Sequence, residues 1–254
     1  MIDLAIVVPS IRPHKINRLF NSIAESIGDY SYKFIVCGPY DPKDQGIECE
    51  YIHTMASPNK CVQQATVEVA QDCEFIKWST DDAVYFKDAL KEMIDDLYAN
   101  PKHFGICKYT EDGPPGYPSG KDDIYYYAKT HGDMQRLIGV KDHYLIGPVS
   151  MYRVNDFMNL GGLECSYEHI NMSTHDLAFR AQESGIKPII SRSILMHCDS
   201  DSKAAEHIPL HNAYVQNDYP VFRNKYSQPE PLKDKLVIDP YNYKNYEDVW
   251  RRFK

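Results

Sequence analysis

The sequence predicts an α/β protein with a mostly parallel sheet, helices on both faces, and a single domain followed by a C-terminal tail. Three observations carry this. Continuous apolar runs recur, as in LAIVVP, and such runs are expected of strands covered on both faces. Segments with 3.6-residue periodicity alternate with them through the first half of the chain. The 254 residues contain no internal repeat and no low-complexity tract, and 43% hydrophobic with 25% charged content is ordinary for a globular protein.

The elements follow in order. LAIVVP, residues 4 to 9, is a strand ended by Pro9, and residues 15 to 27 place Ile16, Leu19, Phe20, Ile23 and Ile27 on one helical face. KFIVCG is a second strand, YIH a short third, residues 59 to 70 a helix, and EFIKW a fourth strand. DALKEMIDDLYANP repeats Leu90, Met93, Ile94 and Leu97 at helical spacing and stops at Asn100-Pro101. HFGICKY is a strand. TEDGPPGYPSGKDD, residues 110 to 123, is too rich in Gly, Pro and charge for a regular element and reads as a mobile surface loop. HYLIGPVSMYR reads as a strand and turn, STHDLAFRAQESG as a capped helix, and KPIISRSILMHCDSD as one or two last strands. Periodicity fades from Lys203. The division is therefore a domain over residues 1–200 and an aromatic, polar extension over 201–254 that packs on the core.

Composition narrows the function classes. A net charge of −8 opposes a broad contact with nucleic-acid phosphates, which disfavours nucleic acid as a partner without excluding it. No stretch approaches the length of a membrane span, and the N-terminus lacks a basic-then-apolar leader, so a cytoplasmic location is expected. None of the seven cysteines forms a CxxC pair, and Cys37 and Cys107 lie in apolar strand-like runs, as reduced core thiols do. Twenty tyrosines and ten histidines suit wet surfaces that stack sugars or bases.

In KWSTDDAVYF, residues 77 to 86, two adjacent carboxylates, Asp81 and Asp82, follow an apolar run where a buried strand would end. Such a pair either faces solvent or is compensated by a cation. Ser-Thr-Asp-Asp is also good turn chemistry. Neither GxGxxG nor GxxxxGK[ST] occurs, so phosphate would need another grip, and carboxylate-held Mg²⁺ or Mn²⁺ at a strand end provides one.

VVPSIRPHKINRLFNSI resembles the opening strand, loop and helix of family 2 nucleotide-sugar glycosyltransferases of the GT-A fold. SPNKCVQQATVEVAQDCEFIKWSTDDAVYFKDALKEMIDDL is similar to that family's helix, strand and aspartate motif, and LIGPVSMYRVNDFMNLGGL and STHDLAFRAQESGIKPI to its later segment. The similarity runs in order over roughly residues 3 to 200. It implies transfer of a sugar from a nucleoside-diphosphate sugar to a hydroxyl acceptor, metal-dependent through Mn²⁺ or Mg²⁺ and with inversion. Family frequency favours uracil over guanine. The acceptor class spans glycan, lipid-linked saccharide, protein and modified nucleobase.

The resemblance also implies roles: Pro9, Ser10 and Arg12 at the nucleotide, Asp41 at base or ribose, Asp81 near the ribose, Asp82 and His197 as metal ligands, and Asp176 as general base. Plainer readings stand beside these. Arg12 fits a solvated loop, His197 a strand end, and Ser173 three residues before Asp176 a helix cap. The chain departs from the family at Val62, Gln63 and Gln64, where Ala-Arg-Asn is usual, and at Thr80, where a strict DxD has aspartate. A nucleotidyltransferase, or a degenerate protein that holds nucleotide-sugar without turnover, are the rival functions. SIRPHK lacks the glycine-rich loop usual in the former.

Overall fold

The computed structural model describes residues 1–111, 124–125, 149–199, 205, 208–226 and 237–246. The chain opens with β1 (Ile2–Pro9), α1 (Pro13–Ile27), β2 (Tyr32–Gly38), a 3₁₀ turn (Pro42–Gln45), β3 (Glu50–His53), α2 (Pro58–Glu68) and β4 (Cys73–Trp78). It continues through β5 (Ala83–Tyr85), α3 (Ala89–Ala99), β6 (His103–Glu111), β7 (Ile124–Tyr125), β8 (Ser150–Arg153), α4 (Val154–Asn159), α5 (Ile170–Glu183) and β9 (Lys187–Cys198). Beyond β9 come α6 (Ile208–Ala213), a π-helical turn (Tyr214–Asp218), α7 (Tyr219–Tyr226) and a 3₁₀ turn (Asn242–Asn245).

One sheet runs β3-β2-β1-β4-β8-β6-β9-β5, with β7 beside β6. β1 is parallel to β2 and β4, and β2 to β3, which gives the Rossmann-like half. Beyond β4 the sheet is mixed. β8 runs antiparallel to β4 and β6, β6 and β9 are parallel, and β5 folds back on β9. The alternation along β1 explains the two layers of core. Ala5 and Val7 meet α2 residues Cys61, Val62 and Ala65 on one face, while Leu4, Ile6 and Val8 meet α1 and α3 residues Ile16, Leu19, Leu90 and Ile94 on the other.

The extension joins the first of these cores. Phe222 is fully buried among Tyr167, Phe179 and Tyr226, and Asp218 accepts the backbone N–H groups of Glu168 (2.9 Å) and His169 (2.6 Å) just before α5. All seven cysteines are free; six are buried and Cys49 is partly exposed. Among the described residues no helix is long and apolar enough to cross a membrane.

Local structure differs from expectation in three places. β5 was not foreseen, because three residues are too short for a period-2 signal. α5 starts at Ile170 with His169 as its N-cap, so Ser173 is inside the helix, donating to the Ile170 carbonyl (2.9 Å) and to Asn59 Oδ1 (2.7 Å) rather than capping. Of the expected surface loop, Thr110 and Glu111 belong to β6, and residues 112–123 lie outside the described residues.

Candidate functional site

β2 follows β1 on one side and β4 lies on the other, so the strand order reverses at β1. In open α/β sheets the crevice at the carboxyl ends of the strands beside such a reversal is where ligands gather. The residues that follow β1 and β4 meet there. The Ser79 N–H donates to the Val7 carbonyl (2.9 Å), holding the two strand ends together, and a turn closed by the Ala83 N–H on the Thr80 carbonyl presents Asp81 and Asp82.

Neither aspartate faces solvent; each is about 4% exposed. Arg12 lies over both. Its Nε donates to Asp81 Oδ2 (3.3 Å), and one terminal nitrogen reaches Asp81 Oδ1 and Asp82 Oδ2, the latter at 3.0 Å. Ser10 donates to Asp81 Oδ2 (2.8 Å) and accepts the Arg12 backbone N–H (3.0 Å). Arg12 is itself only 7% exposed, at the N-cap of α1 with Pro13 opening the helix. Burial alone would lower the Arg12 pKa; the hydrogen bonds and charge of Asp81, with those of Asp82, outweigh it and raise the value. Of the two readings of the acidic pair, compensation by a cation is the one observed, and that cation is a side chain.

A second ring surrounds this knot. Arg18, in the second turn of α1, donates to the Asp82 carbonyl and to Asp199 Oδ2 (2.9 Å), while Lys15 Nζ stands 3.5 Å from the same oxygen. β5 delivers this end of β9, pairing Ala83 with Cys198 and Val84 with His197. His197 is fully buried, with Nδ1 3.0 Å from Thr110 Oγ1. Its Nε2 has no hydrogen-bond partner among the described residues and is 4.0 Å from Asp199 Oδ1. Lys15, Arg18 and Asp199 were missed at the sequence level. The i, i+3 spacing of Lys15 and Arg18 after Arg12 was the available signal.

On the β2 side, Gly38 fits because its chain crosses close to β1; a Cβ there would stand 1.9 Å from the Ser10 carbonyl oxygen. Tyr51 Oη and the Thr54 N–H both donate to the Gly38 carbonyl, at 2.8 and 3.1 Å. Pro9 closes β1 beside Cys37. Asp41 is exposed and caps the 3₁₀ turn, accepting the Lys43 N–H (3.0 Å). None of the contacts described joins Asp41 to the Arg12 knot.

Asp176 lies on α5, and none of its described hydrogen bonds reaches the Arg12 knot. It is fully buried, its Oδ2 accepts from Arg180 Nε (2.8 Å), and its Oδ1 accepts from Lys225 Nζ and Tyr226 Oη of α7. Burial would raise its pKa, but the charges of Arg180 and Lys225 and the bonds from Lys225 and Tyr226 hold it below the usual carboxylate value. Chemically this is a clasp between α5 and the extension.

The carboxylates have the oxygen chemistry that Mg²⁺ or Mn²⁺ takes, yet as arranged they do not fit such an ion. Arg12 and Ser10 engage both oxygens of Asp81 and one of Asp82, and one Arg12 nitrogen bridges the two carboxylates in the position an ion shared between them would take. Among the described residues no three His, Cys, Asp or Glu side chains come together as a metal cage.

Comparison with known proteins agrees with the architecture. No protein-family model and no curated protein sequence matches the chain. Solved structures do. The crystal structure of S. aureus TarS superposes with a TM-score of 0.54 at 14% identity, over 85% of this chain and 40% of that one. The TarS 1-349 structure in complex with UDP gives 0.54 at 13% identity, and that in complex with UDP-GlcNAc 0.52 at 14%, each over 89% of this chain and 70% of the other. The chain thus has the Rossmann-like α/β fold of the GT-A kind, and spans less than half of full TarS.

Proposed function

We propose that the protein is a glycosyltransferase that binds a nucleoside-diphosphate sugar, with UDP as the nucleotide, at the crevice between β1 and β4. The observation that carries this reading is the Ser10–Arg12–Asp81–Asp82 knot at the reversal of strand order in a GT-A-like fold. The UDP and UDP-GlcNAc complexes of the structurally similar TarS support the choice of donor.

In this reading each group has a task set by its chemistry. Lys15 and Arg18, partly exposed beside Asp199 at the start of α1, are the cations placed to meet phosphate oxygens, while the Arg12 fork is taken up by Asp81 and Asp82. Charge placed there stabilises the leaving nucleoside diphosphate as its bond to the anomeric carbon breaks. Asp81 and Asp82 hold the guanidinium in place, and Ser10 fixes Asp81. The acceptor is a hydroxyl compound whose proton must leave as it attacks. The expected base, Asp176, serves only if the Lys225–Tyr226 clasp opens.

That enclosure favours one second reading, a protein that retains nucleotide-sugar without turning it over. Calorimetric titration with UDP, UDP-GlcNAc and UDP-glucose, followed by an assay for released UDP, separates the two. Binding with UDP release supports the transferase, binding without release the retaining protein, and no binding of any uridine nucleotide removes both.

A further inference from the structure

We propose that Arg12 is the resident cation of the Asp81–Asp82 pair, and that a divalent ion reaches those carboxylates only by displacing its guanidinium. Three features of the structure lead there. The fork is shared: one terminal nitrogen bridges the two carboxylates while Nε takes the second Asp81 oxygen, so the space between the two carboxylates, where a shared ion would sit, is held by Arg12. The arrangement is built rather than incidental, since Ser10 ties the carboxylate and the Arg12 backbone through one hydroxyl, and Pro13 fixes the chain immediately after it. The site is also enclosed, with Arg12 and both aspartates each less than a tenth exposed, so two adjacent carboxylates there require a cation at all times.

Mg²⁺ or Mn²⁺ shared by the two carboxylates, at about 2 Å from an oxygen of each, would stand where the bridging Arg12 nitrogen now stands, and the two positive charges repel. Occupancy by one therefore excludes the other. The inference concerns the aspartate pair alone and does not depend on which donor, or whether any donor, is bound. A guanidinium driven off the aspartates by a divalent ion is left beside Lys15 and Arg18, where it adds to the charge open to phosphate.

Mn²⁺ titration followed by the paramagnetic resonance signal of the free ion tests this without nucleotide or turnover. The parent is expected to bind Mn²⁺ weakly, Arg12→Gln at least about 10-fold more tightly, and Arg12→Lys, which keeps the charge but loses the fork, in between. Arg18→Gln removes the same charge from the second ring and is expected to stay within about 2-fold of the parent. Equal affinity in parent and Arg12→Gln overturns the proposal, and so does equal tightening by Arg18→Gln, which would reduce the effect to bulk charge. If circular dichroism shows Arg12→Gln unfolded, Arg12→Lys decides: affinity equal to the parent overturns, tighter binding supports. Failure here leaves the nucleotide-sugar reading intact, because that reading is measured by uridine-nucleotide binding.

Discussion

Asp176 and His175 stand side by side on α5, and both are shut away from water. An aspartate bonded to Arg180, Lys225 and Tyr226 neutralises a fully buried guanidinium and a partly exposed ammonium, and removing its charge strands the buried Arg180. Asp176→Asn is expected to lower unfolding stability by about 3–5 kcal/mol in a denaturant titration, the scale for breaking a buried ion pair. UDP release per folded molecule, measured on the same preparation, then tests its role as base: near-parental release removes Asp176 from the chemistry. His175 carries a pH prediction. Burial, with the charge of His169, pushes its pKa down to about 3 from the ordinary 6.5. Below pH 6.5 the unfolded chain takes up a proton that the folded chain refuses, so stability falls as pH drops from 6.5 toward 3. Roughly 2 kcal/mol is lost between pH 7 and 5, and His175→Leu should flatten that slope in melts recorded across the range. A fully buried lysine, Lys77, behaves with the same logic at the other end of the scale. Its Nζ donates to the Trp78 carbonyl (2.9 Å), and burial lowers its pKa from 10.5. The folded chain holds this proton less tightly than the unfolded one, so the penalty is full below the lowered folded-state pKa, fades as pH rises from there to 10.5 and is gone above it; Lys77→Met should raise the melting temperature at pH 7.

Among the elements, β1, α1, β2 and β4 were legible because each shows one uninterrupted pattern, an apolar run or a single helical stripe. The extension was not. Its π-helical turn, Tyr214–Asp218, shifts the register between α6 and α7, so apolar positions do not recur every 3.6 residues across it, although Ala213, Phe222 and Tyr226 all reach the core. The contact that makes this segment structural, Asp218 on the Glu168 and His169 N–H groups, joins residues about 50 positions apart and leaves no local trace. Asp218→Ala should cost about 2 kcal/mol or more, as two backbone donors lose their acceptor, and should speed amide exchange at the start of α5.

At the scale of the molecule, the chemistry at the ends of β1 and β4 could be located from sequence, since two acids after an apolar strand announce themselves. Their partner could not. Arg12 lies 69 and 70 positions from Asp81 and Asp82, and only the parallel neighbours β1 and β4 bring them together. Gly38 has a matching role on the β2 side: Gly38→Ala would drive a methyl against the Ser10 carbonyl, spread the strand ends and loosen Ser10 from Asp81. Weaker uridine-nucleotide binding together with a lower melting temperature is the expected result. The free thiols spread through both cores have a practical corollary. Burial raises the pKa of Cys37, Cys107 and Cys165, and that of Cys73 to about 11, which starves them of thiolate, the form that alkylating reagents attack. Burial raises the Cys49 pKa as well, but Cys49 is the one thiol of the seven that is partly exposed, so iodoacetamide should label it first in the native chain, and all seven positions once the chain is denatured. Each added adduct in the mass spectrum would then report one region of the fold coming open, so the protein carries, in its own side chains, a site-resolved recorder of how it comes apart.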